Sequence, residues 1–92
     1  MYNSRMNVEY DLAKAESNFR KHGVSFDEAA SALLDENALV MEDIDSKNEN
    51  RWILVGLGSE ARLLTVIYTV RGEIVRIISA RKATNKEANY YA

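Results

Sequence analysis

Three cations lie within or directly after an apolar run near the C-terminus of this chain. The run 74–80 is rich in isoleucine and valine; it is interrupted by Arg76 and followed by Arg81 and Lys82. Strand interiors favour β-branched residues, and an arginine is seldom buried there unless it is paired with an anion. These cations therefore predict a nearby anion, which is either a carboxylate of this chain or a phosphate from outside it.

The spacing of the two arginines sets a geometric condition on any shared site. On a regular strand Arg76 and Arg81 point to opposite faces, because side chains alternate along a strand. They can serve one site only if the strand bends near Ser79 or ends there. For Arg76, pairing with a carboxylate such as Glu73 or Glu42 is expected as readily as contact with a phosphate.

Two further arginines open neighbouring strands. Arg51 and Arg62 each precede a run of apolar residues, where a single arginine is most simply explained as a solvated strand end. Four arginines on three consecutive strands are harder to explain in that way. If one face of the sheet collects them, it is suited to phosphate oxygens, which guanidinium groups bind through paired hydrogen bonds.

Lys21 and His22 could move protons. Histidine is the residue type that titrates near neutral pH, so His22 is a candidate general acid or base. The simpler explanation is that His22 closes an apolar helical stripe and complements the helix C-terminus when protonated. Among the tyrosines, Tyr90 could stack on a nucleic-acid base.

Composition limits the classes of protein and of site. The 92 residues, 47% hydrophobic and 28% charged, are expected to form a single domain, 1–92, with residues 1–7 as a flexible N-terminal tail. The chain has no cysteine and one histidine, so thiolate and histidine-rich metal sites are excluded. We expect no metal and no cofactor. Without an apolar run of membrane-spanning length or a signal peptide, a cytoplasmic protein is expected.

The net charge of −2 hides an uneven distribution. Residues 27–50 contain eight acids and only Lys47 as a cation, whereas residues 51–92 contain seven cations and three acids. A partner responds to the local field rather than to the sum. A basic surface in the C-terminal half is therefore a reasonable expectation, although scattered solvated charges are the simpler one.

The residues point to an α+β domain with the order β-α-α-β-β-β-β-α and a mainly antiparallel sheet packed by helices. Asp11 is a predicted N-cap and Gly23 the predicted end of a first helix, 12–22, whose apolar stripe contains Leu12, Ala15, Phe19 and His22. Capping boxes at 25–28 and 84–87 predict the start of two more helices. The predicted strands are 8–10, 38–42, 51–58, 62–70 and 73–80.

Two long blocks carry a family resemblance. They read Asp11-x-x-Lys14-x-x-x-Asn18-x-x-Lys21-His-Gly-Val-Ser-Phe26 and Arg76-Ile-Ile-Ser-Ala-Arg-Lys-Ala-Thr84, with weaker agreement at Arg51-Trp52, Gly56, Arg62-Leu-Leu64, Val66 and Tyr68. In this order they resemble the BrnT family, the ribonuclease toxins of type II toxin–antitoxin pairs. The resemblance runs from Val8 to Tyr90. Tyr10, Asn50 and Ala61 depart from it, standing where the family has tryptophan, an acid and glycine.

The resemblance implies a RelE-like fold and metal-independent endoribonuclease activity that inhibits translation. It also implies neutralisation by a cognate BrnA-like antitoxin, through which DNA would be bound. Together with the residue types, it makes the catalytic candidates Lys21, His22, Arg51, Arg76 and Arg81, and the RNA-binding candidates Arg62, Lys82 and Tyr90. Arg81, at the exit of the last strand, is favoured as the exposed phosphate ligand, with Arg76 as a paired support.

The residues by themselves are also compatible with two other classes of function. A non-catalytic binding module could use the same arginines to grip an acidic protein partner. Direct DNA binding by this chain is the weaker alternative, since the acidic middle of the sequence and the lack of a helix-turn-helix pattern count against it.

Overall fold

A computed structural model of the chain describes residues 7–45 and 50–91. Over these residues the chain forms five strands and three helices in the predicted order β-α-α-β-β-β-β-α, which is confirmed. The elements are β1 (Asn7–Glu9), α1 (Leu12–His22), α2 (Phe26–Ala32), β2 (Leu39–Asp43), β3 (Arg51–Leu57), β4 (Leu63–Arg71), β5 (Ile74–Lys82) and α3 (Asn85–Tyr90).

The strands form one sheet in the order β1-β5-β4-β3-β2. Neighbouring strands are antiparallel except for β1, which runs parallel to β5. The mainly antiparallel sheet is therefore confirmed. Asn7 belongs to β1 and pairs with Ile74, so the predicted tail was one residue too long; residues 1–6 lie outside the described part of the chain.

Local capping fixes both ends of α1 as predicted. The Asp11 carboxylate accepts hydrogen bonds from the amides of Ala13, at 2.8 Å, and Lys14, at 3.1 Å. At the other end Gly23 adopts a left-handed conformation, with φ of 69°, and its amide donates to the Phe19 carbonyl at 2.8 Å. Such caps satisfy backbone groups that a helix end leaves without partners.

The start of α2 follows only half of its predicted capping box. The Ser25 hydroxyl accepts the Glu28 amide at 3.0 Å, as expected. The Glu28 side chain does not return to Ser25 but turns to Arg62 in the loop before β4, at 2.7 and 2.8 Å. That part of the prediction was wrong because a buried carboxylate gains more from a guanidinium than from one amide.

One face of the sheet, which we call the core face, packs against the helices. Its buried members Leu54, Leu64, Val66, Ile77 and Ala80 meet residues of α2 and of the loop before it: Val24, Phe26, Ala29 and Ala32. In α1 the apolar stripe is largely open, since Leu12 and Phe19 are 77% and 55% exposed. The buried residue of α1 is Asn18, a polar residue that does not belong to this stripe.

The connections between the last three strands use left-handed residues. Gly72, with φ of 61°, forms the predicted tight turn between β4 and β5. Ala61 also has a positive φ, 62°, in the turn between β3 and β4, at the position where the resemblance described above leads us to expect glycine. An alanine in this conformation is strained because its Cβ crowds the following carbonyl.

No helix among the described residues is long and apolar enough to cross a membrane.

We expect Ala61→Gly to stabilise the protein. Relief of the left-handed strain exceeds the entropy that glycine adds to the unfolded chain, so the free energy of unfolding should rise by about 0.5–1 kcal/mol. Urea denaturation followed by circular dichroism measures this change. The same substitution in helix α1, Ala13→Gly, should lower stability instead; a loss of stability for Ala61→Gly would contradict the strain.

Candidate functional site

Arg76 and Arg81 lie on the same face of the sheet because β5 contains one extra residue between them. Tyr68 of β4 pairs with Ile77, and the preceding residue Ile67 pairs with Ser79, so Ile78 has no partner in the register. Such a β-bulge shifts the alternation of side chains by one. The expectation for a regular strand, opposite faces, was wrong, and the condition for a shared site is met at Ile78.

Arg51 joins the two arginines on this face. Arg76 pairs with Thr69 and Arg81 with Thr65, and these two threonines lie on one side of β4. In the neighbouring strand Trp52 pairs with Tyr68, so continuing that register by one residue places Arg51 opposite Thr69. We call this side, opposite the core face, the arginine face. It collects three of the four arginines singled out in the sequence.

Arg62 is not on the arginine face. Its Nε and Nη2 atoms donate to both carboxylate oxygens of Glu28, at 2.8 and 2.7 Å, and Nη2 also donates to the Gly23 carbonyl at 2.8 Å. The Glu28 side chain is only 5% exposed. The guanidinium therefore ties the start of β4 to α2, on the helix side of the sheet, and its role in RNA binding stays a prediction.

Arg76 pairs with a carboxylate, but not with either carboxylate expected. Its Nη1 donates to Glu9 at 2.8 Å, because β1 runs beside β5 and places Glu9 directly opposite. Glu73 lies in the hairpin turn and Glu42 on β2, three strands away. Both members of the observed pair are partly exposed, 32% and 44%. Ion pairs of this kind contribute about 0–1 kcal/mol, so an incoming phosphate could displace the carboxylate.

Arg81 is held by Glu87 of α3. Its two terminal nitrogens lie 2.7 and 2.8 Å from the two carboxylate oxygens, and Oε1 also accepts from the Thr65 hydroxyl and the Thr84 amide. The hydrogen bonds from Arg81 are the main cause that lowers the pKa of Glu87 to about 2, with smaller contributions from Thr84 and Thr65. Glu87 thus completes the capping box of α3, as predicted, and fixes the Arg81 side chain.

Lys21 and His22 lie beside β5, next to the arginine face. They line a groove of about 190 Å³ between the end of α1 and the edge of the sheet, together with Ile78 and Ser79. Because Ser79 pairs with Ile67, it belongs to the arginine face between Arg76 and Arg81. The structure therefore brings the two proton-transfer candidates to the border of the arginine face.

Asn18 positions this border and was not singled out in the sequence. Its amide nitrogen donates to the carbonyls of Ala80 and Val24, at 2.8 and 3.0 Å, and its oxygen accepts the Ala80 amide at 3.1 Å. Strand β1 ends at Glu9, so within the described part of the chain no strand lies beside the edge of β5 beyond that point. Asn18 supplies the missing partner. Asn18 is a position of the first resemblance block, but an amide side chain in the middle of a helix does not by itself reveal burial.

The two remaining RNA-binding candidates lie apart from each other. Lys82 is exposed and pairs with Leu64, so it points to the core-face side, away from Arg81. Tyr90 of α3 is 60% exposed and lines a groove of about 280 Å³ with Met41, Ile53 and other residues of the arginine face. Of the two, Tyr90 is thus placed near the arginines.

Other features of the described residues do not converge on the arginine face. Residues 7–45 and 50–91 contain no group of three or more histidine or acidic side chains close enough to hold a metal ion. A groove of about 690 Å³ lies between α1 and α2 and is lined largely by apolar residues, including Leu12, Phe19 and Phe26. The arginine face with its border groove is therefore the candidate functional site.

Comparison with known proteins identifies similar chains. Residues 10–87 match the family described as ribonuclease toxin, BrnT, of type II toxin–antitoxin system. The structure is similar to the crystal structure of the Brucella abortus ribonuclease toxin BrnT, with 25% sequence identity and a TM-score of 0.67. That similarity covers 87% of this chain and 99% of the Brucella chain. No match is found among curated protein sequences.

Arg62→Met tests the structural role of Arg62. The substitution leaves the buried Glu28 carboxylate without its guanidinium, so the free energy of unfolding should fall by about 3 kcal/mol. Urea denaturation measures the loss, and Arg20→Met, at an exposed pair with Glu16, should change stability by less than about 0.5 kcal/mol. Removing the charge as well, with Glu28→Gln, should recover part of the loss. A fully stable Arg62→Met variant would contradict this role.

Glu87 should make stability depend on pH. A carboxyl group whose pKa is lower in the folded than in the unfolded protein stabilises the fold above its unfolded pKa, near 4.5, and loses that contribution as the pH falls towards 2. Glu87→Gln should therefore be destabilised by roughly 1 kcal/mol at pH 7, and less at pH 3. Urea denaturation at both pH values checks this. The exposed control Glu36→Gln should show no such change, and a pH-independent deficit for Glu87→Gln would contradict the linkage.

Proposed function

This chain belongs to the BrnT family of ribonuclease toxins of type II toxin–antitoxin systems, and from that premise we propose that it is a metal-independent endoribonuclease. In this proposal it cleaves RNA, inhibits translation and is neutralised by a cognate BrnA-like antitoxin. The observation that carries the proposal is the β-bulge at Ile78, which places Arg51, Arg76 and Arg81 on one face of the sheet, bordered by Lys21 and His22.

The proposed reaction uses the RNA's own nucleophile. The 2′-hydroxyl of a nucleotide attacks the adjacent 3′ phosphorus, the bond from phosphorus to the 5′ oxygen breaks, and the products are a 2′,3′-cyclic phosphate and a free 5′-hydroxyl. The attacking oxygen loses a proton and the leaving oxygen gains one. The protein must hold the two oxygens in line with phosphorus and stabilise the negative charge of the transition state.

The cations of the arginine face supply the charge stabilisation in this proposal. Guanidinium groups match the oxygens of a phosphate, and Arg76 and Arg81 are each already oriented by a carboxylate that leaves further N–H donors free to point elsewhere. Arg51 adds a third guanidinium from β3. A sheet face with cations on two strands suits a single strand of RNA.

The groups at the border groove supply the proton transfers. His22 and Lys21 lie next to Ser79, between the positions of Arg76 and Arg81 along β5. Glu87 is a poor base, because the hydrogen bonds of Arg81 hold its pKa at about 2. We therefore assign Glu87 to positioning Arg81, and the acid and base roles to His22 and Lys21.

Partner and location follow from the same premise. A type II toxin is held inactive by a protein antitoxin, and we propose that a BrnA-like antitoxin does this here and carries the DNA binding of the complex. RNA substrate and antitoxin both point to action in the cytoplasm.

One observation favours the alternative of a non-catalytic binding module. Of Arg51, Arg76 and Arg81, two are already paired with carboxylates of this chain, which lowers the net charge that the arginine face offers to RNA. A protein partner with its own acidic residues could exchange with Glu9 and Glu87. In that case the chain alone would neither cleave RNA nor arrest growth.

Alanine substitutions at the site separate the two functions. We expect His22→Ala or Lys21→Ala to slow RNA cleavage by about 10²–10⁴-fold, the usual contribution of a general acid or base, and Arg51→Ala, Arg76→Ala and Arg81→Ala to slow it as well. Cleavage of an end-labelled RNA by each folded variant, and growth after induction without antitoxin, are the measurements. Arg20→Ala, an exposed cation away from the site, is the matched control.

The same experiment tests the proposal as a whole. Growth arrest and cleavage by the parent chain, both reduced in the site variants, support the ribonuclease. A parent chain that leaves growth and RNA intact while still binding its antitoxin would favour the binding module. If every folded single variant cleaved RNA like the parent, the assignment of the site would be wrong.

A further inference from the structure

Two buried polar atoms of the arginine face have no hydrogen-bond partner. They are Nε of Arg51 and the hydroxyl oxygen of Thr69, and they are the buried side-chain atoms of this kind found among residues 7–45 and 50–91. Thr69 as a whole is only 2% exposed. A buried donor without a partner weakens a fold by about 1–3 kcal/mol, so each instance in a protein needs an explanation.

Both atoms belong to one polar row that crosses the sheet. Glu9 pairs with Arg76, Arg76 with Thr69, and Asp43 with Arg51. Arg51 comes directly before Trp52, whose antiparallel partner Tyr68 comes directly before Thr69, so Arg51 lies opposite Thr69. Thr69 therefore lies between two arginines on the adjacent strands. Arg76 is turned towards Glu9, whereas no side-chain hydrogen bond among the described residues involves the guanidinium of Arg51, although Asp43 is opposite it in the register.

Thr65 shows that a buried threonine of this face can be satisfied. It lies on the same strand and the same side as Thr69, and it is 1% exposed. Its hydroxyl donates to Glu87 at 2.8 Å. At Thr69 a valine would fill nearly the same volume without an unpaired hydroxyl, so the threonine is costly to the free protein. Local conflicts of this sort concentrate at functional sites, where a ligand resolves them.

The donors and charges of this polar row indicate which ligand group could pair with the two unpartnered atoms. The unpartnered guanidinium N–H and the hydroxyl are both donors, and the next residue in the row, Arg76, is a second cation. An oxygen with negative charge accepts from all three. A sugar hydroxyl or a neutral carbonyl would bring no negative charge to the half-buried guanidinium of Arg51, which favours an oxyanion.

We propose that Arg51 and Thr69 form an oxyanion site that receives a phosphate oxygen of bound RNA, and that Thr69 is a further binding residue of this protein. The inference rests on the proposed function. In the free protein the two atoms are shielded from solvent, so the phosphate reaches them when the half-buried Arg51 side chain shifts outward, a movement that breaks no hydrogen bond among the described residues.

Thr69→Val tests the site because stability and binding should change in opposite directions. Removal of an unpaired buried hydroxyl should raise the melting temperature by about 4–8 °C. The same change should weaken binding of a fluorescently labelled 2′-O-methyl RNA, which lacks the attacking hydroxyl, by about tenfold in fluorescence anisotropy at constant salt. Cleavage of the corresponding unmodified RNA should slow in parallel.

Two matched variants complete the test. Thr69→Ser keeps the hydroxyl and should bind RNA within about twofold of the parent. Thr65→Val removes a hydroxyl that has a partner, so its melting temperature should fall where that of Thr69→Val rises. This contrast on one strand and one face distinguishes a missing partner from a general effect of valine.

Each result decides the inference. A stabilised Thr69→Val with unchanged RNA affinity would overturn it, because the hydroxyl would then be a packing defect only. A destabilised Thr69→Val would also overturn it, since the hydroxyl would then have a partner in the free protein. If the parent chain and Thr69→Val cleave RNA equally well, the proposed function stands and only the oxyanion site is contradicted. If the parent chain neither binds nor cleaves RNA, both proposals are contradicted.

Discussion

The β-bulge at Ile78 is the constraint on which the rest of the site depends. Without the extra residue, Arg81 would point to the core face, among the buried side chains that pack against α2. With it, Arg76 and Arg81 share a face, and the strand edge between them stays accessible next to α1. Within the described residues the same edge has no neighbouring strand beyond β1, and the buried Asn18 compensates by bonding the Ala80 backbone from α1. Bulge and asparagine together bring Lys21 and His22 beside the arginine face.

Three arginine–carboxylate pairs add side-chain links to the backbone hydrogen bonds of the sheet. Arg62 binds Glu28 of α2, Arg76 binds Glu9 of β1 and Arg81 binds Glu87 of α3; every one is at hydrogen-bond distance. They differ in burial. The Glu28 carboxylate is enclosed, so its pair is a structural link, whereas the other two are partly open and lie on the arginine face. The burial of the carboxylate thus distinguishes the Arg62 pair, which stabilises the fold, from the two pairs on the arginine face, whose carboxylates are partly exposed.

The sequence could predict whatever depends on near neighbours. The N-cap of α1, its glycine stop and the capping box of α3 each involve residues within a few positions, and all three were correct. The errors concern distant contacts. Glu28 pairs with Arg62, 34 positions away, and Arg76 pairs with Glu9, 67 positions away. The tertiary fold, including the order of strands in the sheet, determines which residues are adjacent, and sequence periodicity does not reveal that order. The bulge likewise has no local signature in a run of isoleucines. The residue types of the site could therefore be named from the sequence, but not which of them share a face.

On the proposed function, the pairing pattern favours a different order among the arginines from the one expected from the sequence. The sequence favoured Arg81 as the phosphate ligand, yet a phosphate there must compete with a carboxylate that four donor groups fix in place. At Arg76 it competes with one partly exposed carboxylate, and at Arg51 with no hydrogen-bonded group among the described residues. Asn50, where the family pattern has an acid, leaves Arg51 without a carboxylate beside it in the chain. On the proposed function, RNA binding therefore begins at Arg51. Glu9 and Glu87 keep the guanidiniums of Arg76 and Arg81 oriented until negative charge develops on the phosphate in the transition state and these two guanidiniums bind it.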